Sequence, residues 1–459
     1  MSFEALPGAS RYQHKALISS EKRRLKTLAG IRDRSSQLIG FLHGPAGSGK
    51  TTVVDLVIEY AREYCEELDN YTFTSRTIVV TAMTGVAATL LSGETTHAAL
   101  YLNRKTELSY EQIENFEDTR LVIIDEISFA CDISKIDKYL RTLKQKSDNK
   151  FGDCHIVFAG DLRQLEPVGS MKKPLHEDTC PEFSQWIKCY LELEGMHRLK
   201  NDNAWGLLLK RVRDGAVTKA DIEKINERVE IDESQFPSNM RYATYQNKDR
   251  DAINTALFEK RCCERQERVG NINDSILIFC DNLMIQNGEQ QYVEFKARKL
   301  FWEQCSENDI STGRHGRLDP VLKLYHGCRV MLTKNEDVKS GKANGTQLII
   351  EKVVLKNDVH PRKIEFAKCL VNAVSFCDVQ HIVVKHCNDR IRPQRFNITA
   401  SSRSITAIIP LPQNLQTGDH DDELVKMKAD KVPITVNNAT TGHKLQGFGV
   451  DNLFGYSWY

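Results

Sequence analysis

The chain has 459 residues, of which 41% are hydrophobic and 27% charged, and carries a formal net charge of +1. That is length for roughly three domains of ordinary globular composition. It excludes a global basic field, and no apolar run is long enough to cross a bilayer, so no membrane partner is expected.

The opening residues, MSFEALPGASRYQHK, contain no apolar signal core, and Glu4 argues against a transit peptide. Thirteen cysteines occur without a C-x-x-C pair, the pattern of free thiols in a reducing compartment. The expectation is an intracellular protein, nuclear if the source is eukaryotic, with a mitochondrial address open. Nothing in the sequence sets the oligomeric state; a monomer is expected.

The first predicted strand, near 38–42, leads into HGPAGSGKTT. This fits G-x-x-x-x-G-K-[ST] with Gly44, Gly49, Lys50 and Thr51. Glycines let backbone N–H groups turn toward phosphate oxygens, so Gly44, Pro45, Ala46, Gly47, Ser48, Gly49, Lys50, Thr51 and Thr52 form the candidate phosphate cradle. Lys50 brings a point charge to the β- and γ-phosphates of ATP, and Thr51 a hydroxyl to Mg²⁺. In TTVVDLVIEYAREYCEEL, Val53, Val54, Val57, Tyr60, Ala61 and Tyr64 recur at helical spacing. The loop therefore feeds a helix N-terminus, which favours anions. A chance glycine turn is the alternative.

A second strand, near 77–81, opens VTAMTGVAATLLSGETTHAAL. Small and hydroxyl residues around Thr84 and Gly85 can admit a nucleic-acid backbone, and His97 can stack on or bond a base. A capped helix packed on the sheet is the plainer reading. In LVIIDEIS, four apolar residues read as a buried parallel strand at 121–125. Asp125 at its carboxyl end can hold Mg²⁺, and Glu126 can polarise the attacking water. After a strand at 155–159, GDLRQLEPVG places Gln164 where it can bond the γ-phosphate without adding charge. LEGMHRL places Arg198 where it can meet a transferring phosphoryl group.

Alternating strand and helix to about residue 190 implies a parallel sheet covered by helices. NAWGLLLKRVRDG reads as a helix with a glycine stop, and MRYATYQNKDRDAINTALFEKR as a strand then a helix. From about 270 to 425 the pattern turns β-rich, in SILIF, TQLIIEKVVL and RSITAIIPLP. GTQLIIEKVV beside HGCRVML suggests a small barrel. TGDHDDELVKMKADK reads as a charged linker or exposed loop. VPITVNNATTGHKLQG returns to a strand ending in a polar loop. Residues 352–403 hold ten Lys/Arg against four Asp/Glu, either a solvated face or a phosphate-tracking surface. Cys377, His381, His386 and Cys387 are conceivable zinc ligands, but HIVV reads as a strand and the spacing fits no standard module.

Taken in order, GPAGSGKT, VTAMTGVAA…TTH, VIIDEIS, GDLRQLEPV, MHRL, KANGT and TTGHKLQG make the chain resemble the Pif1-like helicases of superfamily 1 from about residue 15 to its end. The resemblance implies an α/β fold with two RecA-like P-loop domains on parallel sheets, plus a small SH3-like β-barrel inserted in the second. The expected boundaries are 1–190 for domain 1, 191–270 for the first part of domain 2, 271–425 for the β-rich insert and 426–459 for the last part. It implies an ATP- and Mg²⁺-dependent DNA helicase that tracks single-stranded DNA 5′ to 3′ and opens forked duplexes in replication, repair, recombination or telomere maintenance. By the same resemblance Lys50, Asp125, Glu126, Gln164 and Arg198 are catalytic. Thr84, Gly85, His97, His443, Lys444 and Gln446 touch DNA, and Thr441 joins that last motif.

Two departures accompany it. Lys22 stands where the family has an adenine-reading glutamine, with Gln13 out of register. The chain also reaches Tyr459 before the family's final arginine motif. The second leaves an alternative, an ATP- and DNA-binding clamp with little turnover. A P-loop kinase or switch protein is argued against by TTGHKLQG and Gln164.

Overall fold

A computed structural model describes residues 37–66, 73–102, 107–130, 132–164, 175, 179–227, 239–269, 275–279, 281–287, 289–292, 321–338, 340–366, 369–387, 394–399, 403–410, 424–445 and 452–456. Lys22, Gln13, Gln446 and Arg392 lie outside them. The chain divides into two compact units, residues 1–235 and 236–459.

In the first unit the elements run β1 (Ile39–His43), α1 (Lys50–Glu66), β2 (Ile78–Ala82), α2 (Gly85–Leu90), β3 (Glu94–Thr95), α3 (Thr96–Ala99), α4 (Tyr110–Glu114), β4 (Leu121–Asp125), α5 (Ile133–Leu143), β5 (His155–Gly160), α6 (Pro181–Trp186), β6 (Cys189–Glu192), α7 (Asn203–Arg213) and α8 (Lys219–Asn226). The six strands form one sheet in the order β3-β2-β4-β5-β1-β6, and every neighbouring pair is parallel. Parallel pairing needs cover on both faces, which is why β1 and β4 are buried at every position. The apolar stripe of α1 supplies part of that cover. Val54, Val57, Tyr60 and Ala61 are buried while Thr51, Thr52, Asp55 and Glu59 face water. Asp132 caps α5 by accepting from Lys135 N–H, and Ile133, Ile136, Leu140 and Leu143 then enter the same core as Ile124, Ile156 and Phe158. Because all strands point one way, every loop that leaves a strand's carboxyl end emerges along one edge of the sheet, the usual ligand edge of such folds.

The second unit runs β7 (Arg241–Thr244), α9 (Asn247–Val269), β8 (Ile276–Phe279), β9 (Asp281–Asn287), β10 (Glu289–Tyr292), β11 (Val321–Leu324), β12 (Arg329–Leu332), β13 (Gln347–Leu355), β14 (Arg362–Phe366), β15 (Cys369–Ser375), β16 (Val379–His386), β17 (Arg395–Thr399), β18 (Arg403–Pro410), β19 (Leu424–Lys431), β20 (Ile434–Val436), β21 (Ala439–Thr441), α10 (Gly442–Leu445) and β22 (Leu453–Tyr456). A parallel three-stranded sheet, β21-β7-β22, is tied to α9 where Asn254 exchanges two hydrogen bonds with the Ala439 backbone. The antiparallel sheet β17-β16-β13-β12-β20 and the mixed sheet β11-β8-β15-β14 share one core, in which Ile278 and Leu324 meet Val330, Leu348, Ile382 and Ile434. The β12–β13 pairing joins HGCRVML to GTQLIIEKVV, as expected, with Arg329 opposite Ile349.

One expectation fails. The stretch read as a charged linker contains β19, which pairs with both β18 and β9. Val425, Met427 and Ala429 alternate with Lys426, Lys428 and Asp430. That period of two is a strand's, and the local charge hid it. The HIVV segment is a strand, as expected. His381 and His386, five residues apart on β16, fall on opposite faces of the pleat. Among the described residues no group of three or more His, Cys, Asp or Glu is arranged to hold a metal ion.

His386 is 1% exposed, lies against Phe396, and neither ring nitrogen has a hydrogen-bond partner. Burial, and then the charge of Lys342, lower its pKa to about 4. A histidine whose folded pKa is depressed is protonated first in the unfolded chain. Its contribution to stability is therefore complete above the unfolded value near 6.5 and lost as pH falls toward 4. Across that window His386 alone should add an uptake of about one proton per molecule on unfolding. Denaturation midpoints of the parent and of His386→Phe check this. The parent should lose stability faster between pH 7 and pH 5, on the order of one proton's worth. Equal slopes would show that His386 protonates as easily folded as unfolded.

Candidate nucleotide site

The loop from Gly44 to Gly49 leaves β1 and turns directly into α1. Gly47 and Gly49 sit at φ 80° and 95°, where a side chain is strained. Gly44 is required for a second reason. A Cβ there would lie 2.5 Å from the Ser48 hydroxyl and 2.8 Å from the Leu193 carbonyl oxygen. Two bonds close the loop, Ser48 N–H to the Pro45 carbonyl at 3.2 Å and Val53 N–H to the Gly49 carbonyl at 3.0 Å. The Ser48 hydroxyl oxygen is buried without a partner. Lys50 Nζ donates to the Gly44 and Pro45 carbonyls at 2.8 and 3.1 Å, so its charge lies over the loop.

At the end of β4, Asp125 is 7% exposed, and one carboxylate oxygen accepts from Glu126 N–H at 2.8 Å. Burial raises its pKa, opposed by that hydrogen bond and by the nearby Lys50 charge. A buried carboxylate in this condition gains from a cation. Its oxygen and the exposed Thr51 hydroxyl are hard donors of the kind Mg²⁺ takes, so the residues fit that ion. Glu126 occupies the left-handed region, φ 53° and ψ 42°, rare for a residue with a β-carbon.

Gln164 lies in the turn after β5. Its N–H bonds the Asp161 carbonyl at 3.1 Å, and its side-chain amide donates to Asp161 Oδ2 at 3.2 Å. Past β6 the chain bends back over the phosphate loop, with Leu193 N–H on the His43 carbonyl at 2.8 Å and His197 N–H on the Gly47 carbonyl at 3.1 Å. The turn that carries Arg198, His197–Leu199, is thus fastened to the loop. A cavity of about 360 Å³ lies beside it, lined among others by Pro45, Ala46, Arg163, Met196, Lys210 and Arg213.

The outlying candidates are distributed as follows. Thr84 caps α2, its hydroxyl accepting from Ala87 N–H at 3.3 Å, and Gly85 is buried in the first turn. The capped-helix reading therefore holds, on the same sheet edge. His97 lies half-buried in α3, which Thr95 caps. In the second unit Thr441 ends β21, and His443 and Lys444 lie in α10. Burial and the charge of Arg250 lower the Lys444 pKa. Sequence reasoning missed His43, Asp161, His197 and Arg213. Asp161 was visible as an acid at a strand end; Arg213 looked like one more charge on a helix.

Residues 18–221 match the family model PIF1-like helicase. The chain is similar to the ATP-dependent DNA helicase Pif1 of a Psychrobacter species, 32% identical over 170 residues, 33% of this chain and 24% of that protein. It is 22% identical over 451 residues to the ATP-dependent DNA helicase PIF7 of Trypanosoma brucei brucei, 90% of this chain and 41% of that one. The chain thus spans less than half the length of either relative. Among solved structures, the Bacteroides Pif1 helicase in complex with ADP-AlF3 and single-stranded DNA has TM-score 0.57 at 21% identity, covering 96% of this chain and 86% of the other. The Candida albicans Pif1 helicase has TM-score 0.57 at 17% identity, covering 98% and 88%. At those identities the likeness establishes a shared RecA-like α/β fold. The family model spans the phosphate loop, both acids and the Gln164 and Arg198 stretches, so residues 18–221 of this chain are matched as a PIF1-like helicase domain, and the motifs that follow keep that family's order.

Proposed function

We propose that the chain is an ATP-driven motor on single-stranded DNA, moving 5′ to 3′ and opening forked duplexes during replication, repair, recombination or telomere maintenance. The observation that carries this reading is the convergence on one sheet edge of Lys50, Asp125, the Gln164 turn and the Arg198 turn. Lys50 exchanges its carbonyl partners for phosphate oxygens. Glu126 accepts the proton of the attacking water, and Gln164 and Arg198 meet the γ-phosphate. Thr51 and Asp125 would hold Mg²⁺, which when bound would supply positive charge to the phosphates. The named relatives are ATP-dependent DNA helicases, and three neighbouring Pif1 structures are described with single-stranded DNA or at forked duplex. Thr84, Gly85, His97, His443, Lys444 and Gln446 are the proposed DNA contacts. The two sheets that share a core in the second unit are proposed as the family's SH3-like insert. ATP hydrolysis with and without single-stranded DNA tests the reading. A motor is stimulated many-fold by DNA; an unchanged rate supports the clamp.

The basic segment is proposed to track phosphates. Arg395 on β17 projects 69% exposed, with Glu351 at 2.8 Å. Arg395→Glu should weaken DNA binding uniformly across sequences and shallow the log K against log salt slope by about one. Fluorescence anisotropy from low to moderate salt checks it. An unchanged slope returns the segment to a solvated face.

A further inference from the structure

Asp161 is the first residue past β5, and its carboxylate, 1% exposed, gathers donors from three parts of the chain. Arg213 gives a two-pronged contact, Nη1 to Oδ2 and Nη2 to Oδ1, both 2.6 Å. Arg163 N–H donates to Oδ1 at 3.0 Å, Gln164 Nε2 to Oδ2 at 3.2 Å, and His43 Nε2 lies 3.5 Å from Oδ1. Burial alone would raise this acid's pKa; the hydrogen bonds from His43 and Arg213 reverse that and hold it well below the usual carboxylate range. The next residue along the helix adds a second tie, Asp214 accepting from Arg163 Nη1 at 2.6 Å. The Gln164 turn is thus pinned to the carboxyl end of α7.

The other end of α7 lies against the Arg198 turn. Gly206 faces that turn, and a Cβ there would be in van der Waals contact, 3.4 Å, with both Leu199 Cβ and Met196 Sδ. His197, in the same turn, bonds the phosphate loop. One helix of eleven residues, about 16 Å long, therefore joins the turn that carries Arg198 to the turn that carries Gln164.

We propose that Arg213 is a positioning residue for the γ-phosphate response, acting through Asp161 on Gln164, with α7 as the strut that keeps the Gln164 and Arg198 turns in step. The proposal rests on the assignment of Gln164 to the γ-phosphate. Its chemistry is an exchange of partners. Gln164 Nε2 shares Asp161 Oδ2 with Arg213, and it must leave that oxygen to reach a phosphate. With the guanidinium fork in place, the buried carboxylate stays compensated when the amide leaves. Without the fork, the amide becomes a principal remaining partner of a buried charge and is retained. A lysine gives charge without the fork, so it replaces Arg213 only in part.

The test uses the full chain with Arg213→Gln, Arg213→Lys, Gln164→Ala and the Arg213→Gln/Gln164→Ala double variant. It reads DNA-stimulated kcat, KM for ATP and the melting temperature of each. Arg213→Gln should lower kcat about tenfold with KM within about twofold, Arg213→Lys should recover part, and the double variant should be no slower than Gln164→Ala. Losses that multiply in the double variant, or a kcat that simply follows melting temperature, overturn the proposal. Should Arg213→Gln not fold, Asp214→Asn at the exposed ion pair replaces it. Its smaller fall in kcat should vanish in the Gln164→Ala background, and an equal fall in both backgrounds overturns the proposal. A Gln164→Ala variant with the parent's kcat overturns the assignment of Gln164 itself, and with it the role given to Arg213.

Discussion

Lys50→Ala should abolish ATP turnover and leave single-stranded DNA binding nearly intact. The ammonium that donates to the Gly44 and Pro45 carbonyls is poised to move onto incoming phosphate oxygens without crossing the site. Its loss takes away a positive charge where negative charge develops, an effect on the order of 10²–10³ or more in rate. Two further consequences follow from the geometry. The loop carbonyls lose their common donor, so the cradle is less well held. Asp125, whose raised pKa is moderated by the Lys50 charge, becomes easier still to protonate and weaker as a ligand. Lys50→Arg should not restore the rate, because a planar fork cannot stand in for a compact ammonium on a flexible stem. Hydrolysis measured beside DNA anisotropy checks the split. Turnover within about tenfold of the parent would remove Lys50, and the loop, from the reaction.

Much of the first unit was legible because its signals are local. Leu121–Ile124 are apolar throughout, so the stretch reads as a parallel strand, and Asp125 at its end is fixed as the acid at the sheet's carboxyl edge. The phosphate loop is legible for the same reason, since three glycines and a lysine within the seven residues 44–50 have few other uses. Arg213 shows where this stops. It meets Asp161 across 52 positions of sequence, and nothing in RVRDG distinguishes it from Arg211, which pairs instead with Asp221 in the first turn of the next helix. Only the fold decides which arginine points at the buried acid. Leu424–Lys431 failed in the opposite way. Its strand period was present in Val425, Met427 and Ala429, but lysines between them gave the composition of a linker. His197 was read past because its contribution is a backbone N–H, which no side-chain pattern records.

Glu126 offers the sharpest separation of stability from function. Its backbone lies in the left-handed region at φ 53° and ψ 42°, directly after a strand that is buried throughout. A residue with a β-carbon there costs roughly 1–2 kcal/mol relative to the right-handed region. Glycine escapes that cost but gains freedom in the unfolded chain, which returns part of the difference. Glu126→Gly should therefore hold or raise the melting temperature, by about 0–1 kcal/mol in net stability. Turnover moves the other way. With no carboxylate to take the water's proton, hydrolysis should fall by about 10²–10⁴, the usual contribution of a positioned general base. Glu126→Gln keeps the strained backbone and the side-chain shape, so it should match the glycine variant in rate and the parent in stability. ATP binding should persist in both, because Lys50 and the loop are untouched. The comparison needs only thermal melts and DNA-stimulated hydrolysis of three proteins. A glycine variant that melts well below the parent would mean that the carboxylate is part of what holds the turn. A glutamine variant with parental turnover would mean that the proton goes elsewhere, and the strain at Glu126 would then have to be explained by something other than catalysis.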